Sequence, residues 1–474
     1  MVSTRRDFLR QGACALVGGA ALASGIRDFG LVHAFAQGGS PATDYKALVC
    51  IFLNGGNDGN NTVVPVDQTR FAEYTSVRAS AGLALPAPGQ AGGLLPVNPV
   101  SGGAYGFHPA MPELKTLFDN RQLAVVTNVG TLVEPLTRAT YRSGTGRLPL
   151  QLFSHSDQIA QWQTSVSNDT SVTGWGGRTA DRAAHLNGGA SFPQVVSIAG
   201  TALFATGTTT RPIGISDART PLASVLPLNN PPGASGYTTA QTNARRAAFD
   251  SLRGMDLNHT LVKASRDVTE HAIQTSIALA NPPSGLPALP DFPNVTLGYQ
   301  LEQVARLIQL RDALGIKRQI FFCQLGAFDT HSGQMAANAH SALLAQVSQA
   351  MKAFYDATMA MGVQNSVTTF TLSDFGRTLQ PAGAGAAVGT DHGWGNHHFI
   401  LGGAVRGGDF YGRFPTLALN GPDDTDTRGR WIPTTSVEQY AAALATWYGL
   451  APSDIPLVFP FINRFPTANL GFMA

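Results

Sequence analysis

Apolar runs and helically spaced apolar residues alternate along the chain from residue 37 onward. Four continuous apolar runs have the length of a strand, at residues 46–53, 123–128, 319–325 and 366–372. Strands that are apolar at every position are buried on both faces, which is typical of a parallel sheet. The pattern therefore predicts a sheet built largely from parallel strands.

Helices are predicted between these strands. Their ranges are 110–120, 154–164, 241–280 in one or two pieces, 297–314, 337–361 and 437–448. The helix at 337–361 carries Leu344, Val347 and Met351 in one apolar stripe, as a helix does when it packs against a sheet. The alternation indicates an α/β fold with three α/β/α layers.

Two segments interrupt this alternation. Residues 201–236 are rich in Thr, Pro, Gly and Asn, and residues 281–294 are dense in Pro. With the helix between them, they predict an inserted lid or subdomain at about 201–294 within one α/β domain of residues 37–474.

The first 36 residues are typical of an export signal. Arg5 and Arg6 precede Phe8, a Gly- and Ala-rich apolar stretch follows, and 34–36 form an A-x-A cleavage site. We expect a twin-arginine signal peptide at 1–36, the twin-arginine export machinery as a partner, and a periplasmic or secreted protein; an uncleaved amphipathic N-terminus is the alternative. No later window has about 18 uninterrupted apolar residues, so no membrane span is expected in the mature chain.

Charge and cysteine content exclude several classes of protein. The chain holds 32 Lys and Arg against 30 Asp and Glu, and 13% of it is charged. A nucleic-acid-binding protein needs a basic face, and a disordered chain needs high net charge with low hydrophobicity, so neither class fits. Cys50 and Cys323 lie in apolar runs and do not indicate a disulfide, and their number excludes a cysteine metal site.

Chemically versatile residues follow the predicted strands. Asp58 lies in the loop after the first strand, Asp329 and His331 follow the third, and Asp374 follows the fourth. Ligands of open parallel sheets bind at the carboxyl ends of the strands, and Asp with His suits a divalent cation. Turn formation and hydrogen bonding to the backbone are the alternatives for these aspartates.

A later loop contributes His392, His397 and His398, which cannot all be ligands. We favour His392 as the late histidine ligand and place His397 second.

Ser154 begins a predicted helix, and Asp157 three residues later resembles the second half of a capping box. Capping is one role for Ser154. A nucleophile is the other, because a helix N-terminus stabilises an anionic oxygen. We group His155 with Ser154 as catalytic, together with Arg377, which could grip an anion by bidentate hydrogen bonds; loop anchoring is the alternative for Arg377.

Several motifs, in order, resemble one known family. They are the twin-arginine start, Leu53-Asn54-Gly55-Gly56-Asn57-Asp58-Gly59-Asn60, Phe328-Asp329-Thr330-His331, Ser373-Asp374-Phe375-Gly376-Arg377-Thr378, Asp391-His392-Gly393-Trp394 and Gly429-Arg430-Trp431-Ile432-Pro433. Together they resemble the exported domain-of-unknown-function family 1501, which is similar to the alkaline phosphatase and sulfatase superfamily.

The resemblance implies an alkaline-phosphatase-like fold and a metal-dependent hydrolase of phosphate or sulfate esters. It implies Asp58, Asp329, His331, Asp374 and either His392 or His397 as metal ligands, and Ser154 as the nucleophile. The substrate would be a small anionic ester. The metal would be one or two divalent cations among zinc, calcium, magnesium and manganese.

Two departures from that superfamily matter. Only Thr330 separates Asp329 from His331 where three residues are usual, and Phe375 stands where a histidine normally follows the second-site aspartate. Since phenylalanine cannot bind a metal, the second site is depleted or rebuilt. The alternative function is therefore a non-catalytic exported binding or structural protein with a degenerate phosphatase-like site.

Overall fold

A mostly parallel sheet organises the protein, whose computed structural model describes residues 41–190, 192–225 and 238–474. The strands in chain order are β1 Lys46–Leu53, β2 Val63–Pro65, β3 Leu95–Val97, β4 Tyr105–Phe107, β5 Leu123–Gly130, β6 Val195–Ser197, β7 Ile213–Gly214, β8 Arg318–Leu325, β9 Val367–Ser373, β10 Arg377–Ala382, β11 Gly389–His392, β12 Asn396–Leu401, β13 Phe410–Tyr411 and β14 Thr435–Ser436. The predicted signal at residues 1–36 lies outside the described residues.

The large sheet has the order β13-β5-β12-β9-β1-β8-β6-β7, and β14 also pairs with β5. Its central strands are parallel, while β12 runs antiparallel to both β9 and β5. Two smaller sheets accompany it, a β10–β11 ribbon and a three-stranded sheet of β2, β4 and β3. The prediction of an α/β fold with a largely parallel sheet is confirmed.

Helices cover both faces of this sheet. In chain order they are α1 Gly59–Thr62, α2 Gln68–Arg78, α3 Pro112–Asp119, α4 Arg138–Ser143, α5 His155–Thr164, α6 Trp175–Ala183, α7 Leu222–Val225, α8 Thr239–Arg253, α9 Thr260–Ala280, α10 Thr296–Gln309, α11 His340–Ala360, α12 Val437–Tyr448 and α13 Ile455–Val458. Short 3-10 helices add Ala184–Asn187, Leu203–Ala205, Gly385–Ala387, Pro452–Asp454 and Ile462–Arg464. None of the described helices is long and apolar enough to span a membrane.

The two faces of β1 form two separate cores, which is why its sequence is apolar throughout. Val49 and Ile51 pack in the core that includes α3, α10 and α11. Cys50 and Phe52 pack in the opposite core with α5, α6 and α12. Because side chains alternate along a strand, this burial produces the three layers that the sequence predicts.

The two described cysteines illustrate the same alternation. Cys50 pairs with Phe322 across β1 and β8, and Cys323 pairs with Ile51, so the thiols are one register position apart. They lie in opposite cores and are free and fully buried. The expectation that they need not form a disulfide agrees with this geometry.

The predicted elements differ from the structure mainly near the late histidines. The sequence pattern predicts a loop over residues 390–398, whereas the structure forms β11 and β12 there. Part of the predicted insertion also joins the large sheet, because β7 pairs with β6. Residues 226–237 of that insertion lie outside the described residues.

The loops after β1 and β8 approach each other very closely. These strands are in register at their last residues, Leu53 and Leu325, so their following loops leave the same edge of the sheet. Gly55 has a φ of +116°, and a Cβ there would lie 2.5 Å from the backbone nitrogen of Asp329. Only glycine therefore allows both the left-handed backbone and this contact.

We predict that Gly55→Ala destabilises the protein more than Gly82→Ala. Gly82 also has a positive φ, of +80°, but a Cβ there meets nothing within 4 Å. The control should lose about 1–2 kcal/mol of unfolding free energy, from backbone strain alone. Gly55→Ala should lose about 1–3 kcal/mol more, since the backbone it meets must move. Urea unfolding measures both, and equal losses would contradict the close-approach argument.

Candidate metal centre

Side chains from several elements gather at the carboxyl edge of the sheet. Asp329 and His331 come from the loop after β8, His155 is the first residue of α5, and His392 is the last residue of β11. One ligating atom from each of these four residues lies within 4.8 Å of the others. The structure brings Asp329, His331 and His392 together at this edge, as the sequence predicts, and adds His155 to them.

The four donor atoms converge around a common point. Asp329 Oδ1 is 3.2 Å from His331 Nε2, 3.5 Å from His155 Nε2 and 3.9 Å from His392 Nε2. The Nε2 atoms of His331 and His392 are 2.8 Å apart. Three imidazoles and a carboxylate in this arrangement form a zinc-like donor set.

Each imidazole is held from its other ring nitrogen. Nδ1 of His155 bonds to Asp374 Oδ2 at 2.6 Å, and Nδ1 of His331 bonds to Asp391 Oδ1 at 3.0 Å. Nδ1 of His392 bonds to the Phe153 carbonyl at 2.7 Å. Since these oxygens accept, each Nδ1 carries the proton, which leaves each Nε2 with a lone pair directed into the cluster.

Because each imidazole carries its proton on Nδ1, the three Nε2 atoms present only lone pairs to one another and to Asp329. The lone pairs of His331 and His392 face each other at 2.8 Å, which is repulsive without a cation or proton between them. His155 Nε2 is buried and has no hydrogen-bond partner among the described residues. Because an unpaired buried nitrogen is costly, the residues fit a bound cation.

Hydrogen bonds, charges and burial shift the pKa values of the cluster residues in different directions. The hydrogen bond to Asp374 raises the pKa of His155, whereas burial lowers the pKa of His392. Burial acts to raise the pKa of Asp329, but the hydrogen bond and charge of Arg377 together with the charges of His331 and His155 outweigh it, and the pKa is lowered. Asp329 is therefore an anion at neutral pH.

Asp374 supports the cluster without ligating in it. Its buried carboxylate accepts the backbone N–H groups of Gly55 and Gly56 as well as the imidazole of His155. The structure thus uses Asp374 to position His155, and its predicted role as a metal ligand has no support in this geometry. Phe375, beside it, packs against His155 with ring centroids 4.6 Å apart and ring planes inclined at 42°.

Arg377 is buried, and the described hydrogen bonds occupy its guanidinium. Nε donates to the Gly56 carbonyl, Nη1 to that of Thr390, and Nη2 to Gly55, Phe328 and Asp329. No face of this side chain is exposed to a ligand. The structure therefore shows the anchoring role that the sequence analysis gave as the alternative to anion binding.

Asp58 lies outside the cluster. Its carboxylate forms a fully buried ion pair with Arg78 at 2.7 Å and accepts from Gln334 Nε2 at 2.6 Å. It also accepts the Asn60 N–H at the start of α1. Burial acts to raise the pKa of Asp58, but Arg78 outweighs it and lowers that pKa. The ligand role implied for Asp58 stays a prediction without geometric support.

His397 also lies apart from the cluster, in the buried strand β12. Its Nδ1 accepts the Asn128 N–H at 3.2 Å, and its ring stacks on Phe414. Burial lowers the pKa of His397 to about 3, so it stays neutral. Of the two late histidines, the structure brings His392 to the site, which agrees with the order of preference from the sequence.

Ser154 lies between two residues that contact the cluster, Phe153 and His155. Its hydroxyl makes no capping bond to the backbone of α5 and instead donates to Asp157 Oδ2 at 2.5 Å. The capping box suggested by the sequence is therefore not formed. No described contact joins the hydroxyl to the cluster, so the nucleophilic role stays a prediction.

Sequence reasoning missed the groups that orient the imidazoles. Asp391 holds the imidazole of His331 and accepts from Arg428 Nη2 at 2.5 Å, although no role is predicted for it from the sequence. The Phe153 carbonyl could not have been found, because a backbone acceptor leaves no signal in the sequence. The signal for Asp391 was its place beside His392.

Comparisons with known proteins found several solved structures to which the chain is distantly similar. The PsFucS1 sulfatase of Pseudoalteromonas sp. is 11% identical with a TM-score of 0.28, covering 85% of this chain and 69% of its own. The C-terminal periplasmic domain of EcEptC from Escherichia coli, in complex with Zn, is 10% identical with a TM-score of 0.29, covering 87% of each chain.

The phosphonate monoester hydrolase of Agrobacterium radiobacter is 9% identical with a TM-score of 0.29, covering 88% of this chain and 77% of its own. No curated protein matches the sequence. The sequence itself matches the family described as "Protein of unknown function (DUF1501)" over residues 45–427. Since this match spans most of the chain, the protein belongs to the DUF1501 family.

Proposed function

We propose that this protein binds one divalent cation, zinc by the chemistry of its donors, and hydrolyses phosphate or sulfate esters after export through the twin-arginine pathway. The observation that carries the proposal is the convergence of three histidine Nε2 lone pairs on Asp329 while every Nδ1 is bonded outward. Carboxylate and carbonyl groups behind metal-bound histidines orient them in this way in zinc sites.

A cation explains the cluster better than a proton does. A proton shared by His331 and His392 would relieve the repulsion between their lone pairs but leave His155 Nε2 buried and unpaired. One cation at the centre satisfies all three nitrogens and Asp329 together.

The balance of charge also suits an anionic substrate once a cation is present. Arg377 is paired with Asp329 and Arg428 with Asp391, while Asp374 bonds to His155, so these five groups together carry one negative charge. A divalent cation reverses that sign. Attraction of a phosphate or sulfate ester is therefore coupled to loading of the site.

The cluster is open on its solvent side. The side chains of His155, Asp329, His331 and His392 are 29%, 47%, 44% and 24% exposed. Structural zinc sites are closed, whereas catalytic sites leave a position for water or substrate. The exposure thus supports access of an ester from solution.

A bound cation would act as a Lewis acid on an ester oxygen and lower the pKa of a nearby hydroxyl. The chain supplies the remaining functions. Ser154 stands at the N-terminus of α5, where the helix dipole stabilises an oxyanion. As its oxygen bonds to the phosphorus or sulfur, its proton passes to Asp157, to which the hydroxyl already donates, and the bond to the leaving-group oxygen breaks. The leaving oxygen takes up a proton from Asp157 or solvent, and water then hydrolyses the Ser154 ester to release phosphate or sulfate.

Export remains part of the proposal, supported by the twin-arginine pattern at residues 1–36. That pathway carries folded proteins, so a cation could be loaded before export.

One observation favours a second candidate, a non-catalytic metal-binding protein. The cluster already offers four protein donors, which is enough for a complete tetrahedral zinc site. Turnover decides between the two functions, because metal binding is common to both.

We predict that the purified protein, freed of metal and dialysed against zinc, retains about one equivalent per chain, since one four-donor cluster is present. His331→Ala should weaken zinc binding at least about tenfold, because it removes a direct ligand. The matched control is His259→Ala, which removes an exposed histidine at the start of α9. Mass spectrometry of bound metal measures both, and equal zinc in the two variants would contradict the site.

We predict that Ser154→Ala lowers ester hydrolysis about a thousandfold or more while zinc content stays unchanged, as expected when a nucleophile is removed. The assay compares p-nitrophenyl phosphate, bis-p-nitrophenyl phosphate and p-nitrophenyl sulfate. Ser143→Ala, an exposed serine at the end of α4, is the control. Full activity in Ser154→Ala would refute the nucleophile, and bound zinc without turnover of any ester by the wild type would favour the second candidate.

A further inference from the structure

A small cavity lies between α5 and the carboxyl end of β8, two elements that also position residues of the metal cluster. Its volume is about 210 Å³. Ser156, Ile159, Ala160 and Gln163 line one wall, and they recur at the spacing of a single helix face. The segment 201–203 and Gln324 complete the lining.

The cavity shares both of its main walls with the cluster. Ser156 directly follows His155, and Ile159 lies one helical turn after His155 on the same side of α5. Gln324 is the penultimate residue of β8, the strand whose following loop carries Asp329 and His331. A group attached to an ester oxygen at the cluster could therefore extend into this cavity.

The lining is uncharged and includes two side-chain amides with hydrogen-bonding capacity to spare. Gln163 uses Oε1 to accept the Phe204 N–H, which leaves its Nε2 without a partner among the described residues. The side-chain amide of Gln324 makes no hydrogen bond within the described part of the chain, and Ser156 adds a hydroxyl. Ile159 and Leu203 supply apolar surface between these polar groups.

We propose that this cavity binds the leaving group of the substrate, and that this group is a neutral polyhydroxylated unit about the size of one monosaccharide. The inference rests on the proposed function. The absence of charge among the lining residues disfavours an ionic leaving group, because its desolvation would be uncompensated. Amides that alternate with apolar surface match a sugar, which presents hydroxyls and C–H faces together. The cavity is smaller than the roughly 300–1,000 Å³ of sites for drug-sized ligands, so it suits a single ring.

Filling the cavity tests this specificity. Ala160→Leu should lower kcat/KM for glucose 6-phosphate and glucose 6-sulfate about tenfold or more, and leave methyl phosphate and methyl sulfate within about twofold, because only the larger leaving group reaches the cavity. Ala244→Leu on the exposed helix α8 is the matched control. Gln324→Met should also lower kcat/KM selectively for the two glucose esters. It should have little effect on folding, because the amide of Gln324 has no described partner. Equal effects on glucose and methyl esters, or no effect on either, would overturn the proposal.

A second measurement does not depend on catalysis. Cys50 and Cys323 are fully buried, so in a Cys14→Ser background an Ala160→Cys thiol should react selectively with a maleimide. Saturating glucose should slow this labelling at least about threefold, while a cysteine at position 244 labels at an unchanged rate, since binding excludes the reagent only from the cavity. If the wild type hydrolyses no ester, protection of this thiol still supports the sugar site. Absence of protection refutes it whether or not the protein is a hydrolase.

Discussion

The candidate site depends on the hydrogen bonds that the buried guanidinium of Arg377 donates. It reaches the carbonyls of the loop after β1, the loop after β8 and the strand β11, and it also bonds to Asp329. A buried charge is costly unless its donors are paired, and here they are. Removing Arg377 would therefore release several loops at once and leave Asp329 without the group that fixes its orientation.

Asp374 and Arg377 both bond to the backbone of the same two residues, Gly55 and Gly56. The N–H groups of Gly55 and Gly56 donate to Asp374, and their carbonyls accept from Arg377. Two successive peptide groups are thus held between a carboxylate and a guanidinium. The left-handed backbone of both residues makes this arrangement accessible to glycine and strained for any other residue. The position of His155 follows, because Asp374 also holds its imidazole.

The large sheet could be predicted from the sequence because its central strands are buried on both faces. Each such strand, as in β1, is therefore an uninterrupted run of apolar residues. It also placed Asp329 and His331 correctly, since parallel neighbours end at one edge. It could not place His155 among the converging donors, because α5 reaches that edge only through packing. The burial of His397 was equally hidden, since β12 is short and its histidines resemble loop residues.

The buried pair of Asp58 and Arg78 shows why a likeness of motifs does not determine a ligand set. The resemblance implied a cation beside Asp58, and the structure places a permanent cation there, the guanidinium of a residue on α2 that no spacing rule connects to it. Breaking such a pair leaves an uncompensated buried charge and costs about 3–5 kcal/mol, so a metal ion cannot readily displace Arg78. Phe375 removes a further nitrogen donor and packs against His155 and His392 instead. With one acidic position neutralised and one histidine replaced, the donors that remain free converge on a single centre. This geometry supports the proposal of a single cation, for which Ser154 and the groups that orient the imidazoles would supply the remaining functions.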